Sequence, residues 1–412
     1  MSDKAVCPFS GVTLPGDGTP TRPSPDLATW RDQSPATPLK YQDGHEGLIV
    51  TDYELARNVL SDPRFSMRPE RMPEGPETKS SSGKEITNAA LPAELPGPLD
   101  DDAQISEQSN LLILDGDQHL RLRRLITPHF TLKQVRSHHS WISDMVSSEL
   151  QRISSFESKS SEIWNDYAKP IAAKTHCKVL GVPDTMYEDF VRLFAGPSTA
   201  QEKYDFIRSL ISFRESQPGE DVVSSLLAES DISRHEVEGI MRLLLGAGRD
   251  SVAYLITTTL VALLTNPDQL EILRSKPELV PAATEEFMRY GAMFLTLFPR
   301  TALEDVDFDG YMISKGTSVS VSSVAANRDP KRFKEPDVFL VERDSFGHIG
   351  FSHGIHGCIG QQLARIEIAE AIGQLITAMP SLRLVEAEQL TPMPFAHPVA
   401  VYEAGEAIIS WS

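Results

Sequence analysis

The chain has 412 residues, of which 40% are hydrophobic and 24% are charged, and its formal net charge is −19. This is the composition of a globular chain with enough apolar residues for a large core. The acidic balance argues against nucleic acid as a partner, because phosphate binding needs a basic surface. The three cysteines, Cys7, Cys177 and Cys358, are too sparse for a disulfide framework and suit a reducing cytoplasm.

The first part of the chain is polar and rich in proline, glycine and threonine. We predict an irregular arm over residues 1–40, followed by a single domain over residues 41–412. The arm has no apolar stretch long enough for a signal peptide or a membrane span, so we expect a soluble, cytoplasmic protein. Residues 47–51 predict a short strand, and Thr51 and Glu54 have the spacing of a capping box that opens a helix.

A long loop is predicted next, because six prolines between residues 67 and 110 break any regular element. The helical segment that follows carries His119, Arg121, Arg123 and Arg124. At about 100° per residue, His119 and Arg123 share one helical face, whereas Arg121 and Arg124 point elsewhere. An ordinary basic helix on a solvated surface would show the same pattern.

The longest helix is predicted to open at a second capping box, Ser233 with Glu236, and to end at Asn266. Gly246 and Gly248 stand in its middle. Two glycines inside a helix cost about 1 kcal/mol each relative to alanine, so they favour a local opening or kink of the backbone. Upstream of this helix, Gly196-Pro197 interrupts the helical pattern of the segment 187–218.

Arg249 follows these glycines and is a tempting ligand for a substrate carboxylate. It lies about 200° round the helix from Ala247, whereas Ala247 and Ser251 share a face. We therefore predict that Arg249 has a structural role and is held by a neighbouring helix or loop.

Downstream, Glu286 and Arg289 place opposite charges three residues apart on one helical face, a common pair that is weak by itself. Residues 293–298 are apolar except for Thr296 and predict a buried strand. Residues 306–324 alternate with a period of two, which predicts hairpins.

The most informative segment is FSHGIHGCIG, residues 351–360, in which three glycines and two histidines surround Cys358. Glycines let the backbone turn with positive φ and approach a flat object closely. A helical pattern begins directly afterwards, and backbone N–H groups at a helix start favour the thiolate that ligates metals. A glycine-rich turn around an inert cysteine would explain the Cys-x-Gly part alone.

The whole segment resembles the haem-binding loop of the cytochrome P450 superfamily, F-[GS]-x-G-x-[HR]-x-C-x-G, at every fixed position. This resemblance implies a mainly α fold with small β-sheets (α+β). It also implies that haem b, iron protoporphyrin IX, lies between a long kinked helix and the cysteine loop. Cys358 would be the axial ligand of the iron, and Phe351, His356 and Gly360 would contact the cofactor, with His356 at a propionate.

Other family motifs occur in the expected order, and each implies roles for residues of this chain. His119, Arg123 and Arg300 match propionate-binding positions. The motif [AG]-G-x-[DE]-[TS] matches Ala247, Gly248, Asp250 and Ser251, of which the last two would relay protons, with serine in place of the usual threonine. The E-x-x-R pair would be completed by Arg343. The substrate pocket would be lined by Phe294, Leu295, Leu297, Met393 and Phe395.

The implied function is a monooxygenase that inserts one atom of O₂ into a hydrophobic small molecule. Its electrons would come from NAD(P)H through a separate ferredoxin reductase and ferredoxin, and the protein would be a monomer. The ferredoxin would meet a basic patch on the cysteine side, formed by Arg121, Arg124, Arg328, Lys331, Arg332, Lys334 and Arg365.

Two alternatives stay open at this point. One is a peroxide-driven oxygenase or peroxidase, against which Asp250 and Ser251 argue, because that chemistry needs no relay for reduced dioxygen. The other is a haem-based sensor or a structural metal site formed by His353, His356 and Cys358. A tetrahedral zinc site would need a second half, which the sequence does not show.

Overall fold

The computed structural model describes residues 11–41, 43–73, 94–387, 399–402 and 405–412. Helices dominate these residues, and several of them are joined by short turns. The α-helices are α1 (Pro25–Gln33), α2 (Tyr53–Ser61), α3 (Asp101–Glu107), α4 (Gly116–Ile126), α5 (Leu132–Ser137), α6 (His139–Ser154), α7 (Lys169–Leu180), α8 (Tyr187–Ala195), α9 (Ala200–Ser216), α10 (Val222–Ala228), α11 (Arg234–Thr265), α12 (Pro267–Ser275), α13 (Val280–Tyr290), α14 (Ser323–Ala326) and α15 (Gln361–Ala378).

The strands are short and form small sheets, as the resemblance implied. The strands are β1 (Ala36–Lys40), β2 (Glu46–Val50), β3 (Phe65–Ser66), β4 (Glu94–Leu95), β5 (Ser160–Glu162), β6 (Ser198–Thr199), β7 (Phe294–Thr296), β8 (Arg300–Ala302), β9 (Val306–Phe308), β10 (Tyr311–Ile313), β11 (Ser318–Val321), β12 (Arg383–Ala387), β13 (Ala400–Val401) and β14 (Ala407–Ser410). The largest sheet has the order β1-β2-β11-β8-β3, in which β11 runs parallel to β2 and the other pairs are antiparallel.

The predicted irregular arm is wrong for residues 25–40, which form α1 and β1. Ser24 caps α1 by accepting a hydrogen bond from the Asp26 amide, and a proline occupies the first turn, where its missing N–H costs nothing. β1 owes its conformation to its antiparallel pairing with β2. The short loop between the two strands contains Asp43-Gly44, with Gly44 at a φ of +84°, and this dipeptide is typical of hairpin turns.

The helix starts show one correction and one confirmation. α2 is capped by Asp52, whose carboxylate accepts from the Leu55 amide, and not by the predicted Thr51. Around α11 the predicted capping box is present in full, with Ser233 and Glu236 each bonding the other's backbone amide. In the segment 187–218, Gly196-Pro197 separates the two helices α8 and α9, which have 9 and 17 residues.

α11 is the central element of the fold, with 32 residues that are mostly buried. It packs against α7, α15 and α3 within the larger of two hydrophobic cores, and the smaller core lies between α2 and the largest sheet. The helix is α-helical without interruption at Gly246 and Gly248. No helix among the described residues is both long and apolar enough to cross a bilayer.

Candidate functional site

A cavity of about 260 Å³ lies between the middle of α11 and the cysteine loop that precedes α15. The loop side of its wall includes Phe351, Cys358 and Gly360, and the helix side includes the predicted residues Ala247, Gly248 and Ser251. The remaining lining is largely apolar, which suits an apolar ligand. Two segments far apart in the chain therefore meet across one space.

The cysteine loop is fixed by close backbone packing. The Cys358 amide donates to the Phe351 carbonyl at 2.8 Å, and Arg123 of α4 donates to the Gly357 carbonyl. Gly354 has a φ of +72°, and a Cβ there would lie 2.3 Å from the carbonyl oxygen of Leu60 in α2. This glycine is thus required by its positive φ and by the close approach of the loop to α2.

The Cys358 side chain faces the cavity and is exposed there. Burial in the protein raises the pKa of its thiol, while the amide of Gly360 and the guanidinium of Arg123 act in the opposite direction. The expected preference for thiolate is therefore outweighed by desolvation in the chain alone. A bound metal cation would reverse this balance, because a coordinating thiol is deprotonated outright.

Cationic and imidazole groups cluster at one edge of the cavity, where they outnumber the one carboxylate nearby among the described residues, that of Asp115. Burial lowers the pKa of Arg300 to about 10, and its guanidinium donates to the Phe298 carbonyl at 3.4 Å. The rings of His119 and His356 lie 4.3 Å apart, and burial lowers the pKa of His119 to about 4. His119 Nδ1 and His356 Nε2 are buried without a hydrogen-bond partner among the described residues.

Asp115 lies near this edge, and sequence reasoning did not assign it to the site. Its carboxylate accepts hydrogen bonds from the Ser66 hydroxyl and, at 3.2 Å, from the Met67 amide. One of its oxygens lies 3.8 Å from His356 Nε2, which is too far for a hydrogen bond. Because these partners come from β3 and from the residues that follow it, no local spacing in the sequence marks this contact.

The predicted relay residues face different surroundings. Ser251 lines the cavity, and its hydroxyl donates to the Ala247 carbonyl at 2.8 Å, a bond typical of serine inside a helix. Asp250 does not line the cavity and forms an ion pair with Arg249. Arg249 is buried and turned away from the cavity, which agrees with its predicted structural role, although its partner is its own neighbour.

The structure brings together the three residues of the predicted ion network, Glu286, Arg289 and Arg343. Arg289 donates to both oxygens of Glu286 at 2.7 and 2.8 Å, and Arg343 donates to the same carboxylate at 3.3 Å. Ser345 adds a hydroxyl at 2.5 Å, and Arg289 also donates to the Asn327 carbonyl at 2.9 Å. Both Glu286 and Arg289 are fully buried, so this carboxylate depends on its partners for all its hydrogen bonds.

The predicted apolar wall is only partly correct. Phe294 and Leu297 line the cavity, but Leu295 does not. Alternate residues of a strand face opposite sides, and Leu295 is completely buried in the larger core. Met393 and Phe395 lie outside the described residues. Among the lining residues that were not predicted are two titratable ones, His176 of α7 and Glu367 of α15. Periodicity places them on helices without showing which face meets the cavity.

The predicted basic patch is smaller than expected. Arg328 is buried and donates to the Tyr290 carbonyl at 2.7 Å, so it is unavailable to a partner. Arg121 pairs with Glu236, and Arg365 pairs with Glu285 at 2.5 Å. The exposed members are Arg124, Lys331, Arg332 and Lys334, of which Lys331 also contacts Asp52 at 2.9 Å.

Together, these features define a class of protein. A cysteine sulfur that faces a largely apolar cavity can hold a metal, and the unpartnered imidazole nitrogens and the guanidinium groups at its edge can take carboxylates. Haem has both an iron atom and two propionates, so the residues present fit this cofactor. The fold and the site are those of a haem-thiolate protein.

Comparison with known proteins agrees with this class. The family model for cytochrome P450 matches residues 172–379. The chain is 32% identical to cytochrome P450 105C1 of Streptomyces sp over the full length of both chains. It is also 31% identical to the cytochrome P450 monooxygenase PikC of Streptomyces venezuelae, over 88% of this chain and 85% of PikC.

Solved structures resemble this fold over nearly its whole length. The mycinamicin VIII C21 methyl hydroxylase MycCI of Micromonospora griseorubida, bound to mycinamicin VIII, superposes with a TM-score of 0.81 at 26% identity, covering 97% of this chain and 100% of MycCI. The chain belongs to the cytochrome P450 family, and it is a haem-dependent monooxygenase. This membership decides against a structural zinc site at His353, His356 and Cys358.

Proposed function

We propose that this cytochrome P450 hydroxylates a hydrophobic small molecule in the cavity between α11 and the cysteine loop, with electrons from a separate ferredoxin and its reductase. The observation that carries the proposal is the largely apolar cavity between Ser251 and Cys358. Relatives support the substrate class, since they include 6-deoxyerythronolide B hydroxylase of Saccharopolyspora erythraea, 32% identical over 87% of this chain and 88% of that protein.

Five residues would hold the cofactor. Cys358 would ligate the iron through its sulfur, and the propionates would meet the edge formed by His119, Arg123, Arg300 and His356. An anion there would satisfy the buried His119 Nδ1 and His356 Nε2. When bound, haem supplies the iron that activates dioxygen.

The proton supply would begin at Ser251. Because its hydroxyl hydrogen points to the Ala247 carbonyl, its oxygen can accept a hydrogen bond from a donor in the cavity. Asp250 is held by Arg249 and does not face the cavity. We therefore assign Ser251 the direct role, and Asp250 would take part only after leaving Arg249.

Replacing Ser251 with alanine is expected to uncouple the enzyme, because the hydroxyl through which protons would reach the cavity is lost. Product formed per NADPH consumed should fall, by up to about 100-fold if this is the essential proton group. Hydrogen peroxide should rise in proportion. The measurement is product, peroxide and NADPH in the same reaction, with Ser251→Thr as the control that keeps the hydroxyl. Equal coupling in the alanine and threonine variants would contradict the assignment.

The ferredoxin surface would include Arg124, because its helix α4 contacts the cysteine loop through Arg123. Arg332 and Lys334 are also exposed, and Arg332 donates to the carbonyl of Phe346, whose residue surface is 74% exposed. An exposed phenylalanine beside cations offers an acidic partner both apolar and electrostatic contact.

Replacing Arg124 with glutamate should slow the first electron transfer from ferredoxin by about 10-fold at low salt, because attraction becomes repulsion. The difference should shrink as ionic strength screens the charges. Stopped-flow reduction under carbon monoxide measures this rate. Arg192→Glu is the control, since Arg192 is an exposed cation of α8, which packs against α9. Equal slowing in both variants would speak against a specific surface.

The test of the function has two stages. The purified protein should show the ferrous carbonyl spectrum of a thiolate-bound haem, and titration with macrolides, terpenes, steroids and fatty acids should reveal which class shifts the Soret band. Turnover is then compared with ferredoxin, reductase and NADPH, or with hydrogen peroxide alone. Product from peroxide alone, and none with the redox partners, would replace this proposal with a peroxide-driven oxygenase.

A further inference from the structure

His176 reaches the cavity from α7, and none of the roles assigned above uses its imidazole nitrogens. Its Nε2 lies 2.6 Å from the carbonyl oxygen of Leu244 in α11. A carbonyl oxygen only accepts hydrogen bonds, so Nε2 must carry the hydrogen. In an α-helix the same carbonyl faces the amide of Gly248, four residues later. The imidazole therefore sits beside one hydrogen-bonded turn of α11.

Gly248 provides the space for this ring. A Cβ at position 248 would lie 2.4 Å from His176 Cε1 and 2.5 Å from Nδ1, so any larger residue would overlap it. The edge of the imidazole that carries Nδ1 consequently lies against α11 within the cavity wall, one helical turn from Ser251. No described residue donates a hydrogen bond to Nδ1, and this atom is not fully buried.

The ring is neutral at physiological pH. Burial lowers the pKa of His176 to about 4, although the Leu244 carbonyl acts in the opposite direction. With the single hydrogen on Nε2, Nδ1 is a pure hydrogen-bond acceptor. Its neighbours in the wall include Leu180 and Leu243, and the ring of Phe190 lies 6.1 Å away. None of these side chains can donate a hydrogen bond to Nδ1.

An accessible acceptor in an apolar wall loses free energy unless a ligand supplies a donor. We propose that Nδ1 of His176 accepts a hydrogen bond from an O–H group in the cavity, supplied by water or by a hydroxyl of the substrate. His176 is thereby a residue that selects and orients oxygen-bearing ligands. This inference rests on the proposed function, because it takes the part of the cavity that haem leaves free to be the substrate site.

Three variants of the full-length holoenzyme separate the two nitrogens. His176→Phe keeps a ring and removes both polar atoms. His176→Asn keeps an acceptor near Nδ1 but cannot reach Leu244. His176→Gln can donate to Leu244 but has no acceptor at the Nδ1 position. Cys177→Ala is the matched control, because Cys177 is the next residue of α7 and is buried in the core. Haem content and circular dichroism establish that each variant is folded.

The first arm measures a substrate hydroxyl with two ligands of similar size, cyclohexanol and methylcyclohexane. Spectral titration gives the ratio of their dissociation constants. In the wild-type protein, His176→Asn and Cys177→Ala, this ratio should favour the alcohol. In His176→Phe and His176→Gln the preference should be about fivefold smaller, which is the effect of one neutral hydrogen bond. If Gln keeps the preference and Asn loses it, the Leu244 bond matters and the proposal is overturned.

The second arm detects water and does not depend on any added ligand. The infrared C–O stretching band of the ferrous carbonyl complex reports the polarity of the cavity. If water is the donor, this band should differ between wild type and His176→Phe without ligand. If only a substrate hydroxyl is the donor, the difference should appear when cyclohexanol is added. Identical bands under both conditions, with an unchanged ratio in the first arm, would overturn the inference. Failure of both ligands to shift the Soret band would instead count against the proposed substrate site.

Discussion

Replacement of Arg289 with leucine is expected to yield protein with little or no bound haem. The change leaves Glu286 as a buried carboxylate without its bidentate partner, and breaking such a pair costs about 3–5 kcal/mol. That is a large part of a total stability of about 5–15 kcal/mol. It also releases the Asn327 carbonyl, which Arg289 holds at the start of the segment that leads to the cysteine loop. Haem per protein and the thermal unfolding midpoint measure the effect.

The chain offers a matched control for this experiment. Arg192 and Asp189 have the same three-residue spacing, but their side chains are 62% and 63% exposed. Exposed pairs contribute about 0–1 kcal/mol, so Arg192→Leu should bind haem normally. Arg289→Lys should be impaired, because an ammonium group cannot make the bidentate contact. Normal haem content in Arg289→Leu would refute the role of the network.

Replacement of Gly248 with alanine is expected to destabilise the protein, although alanine is the better helix former. The helical gain is about 1 kcal/mol, but the new methyl group would lie 2.4 Å from the His176 ring. Forcing a buried ring and a helix apart typically costs about 1–3 kcal/mol. Steric overlap should therefore exceed the gain in helix propensity, and the thermal unfolding midpoint should fall.

Two further variants identify the cause. Gly373 lies inside α15, where an added Cβ would meet only ordinary contacts, the nearest at 3.6 Å from Val280. Gly373→Ala should therefore be neutral or stabilising. Adding His176→Ala to Gly248→Ala should recover part of the loss, since contacting residues show non-additive effects. If Gly248→Ala behaves like Gly373→Ala in both backgrounds, the glycine is not there for His176.

Features that depend on neighbours a few residues apart were predictable from the sequence. The capping box of Ser233 and Glu236, the bond from Ser251 to the Ala247 carbonyl and the pair of Glu286 with Arg289 each span three or four residues. Helix geometry alone brings such residues together. The family motif at residues 351–360 predicted in addition that Cys358 belongs to the site, and Cys358 lines the cavity.

Other features depend on surfaces that meet only in the folded chain. Phe294 lines the cavity and Leu295 does not, because only one face of β7 meets the cavity. Packing of residues 327–338 against α13 buried Arg328, which the sequence alone places among surface cations.

The sequence by itself determined the family and the pair of Glu286 with Arg289, because both depend on short, fixed spacings. The tertiary structure decided the rest of the wall, above all His176 beside Gly248. Periodicity places both residues on helices, but only the packing of α7 on α11 brings the imidazole to a glycine that leaves room for it.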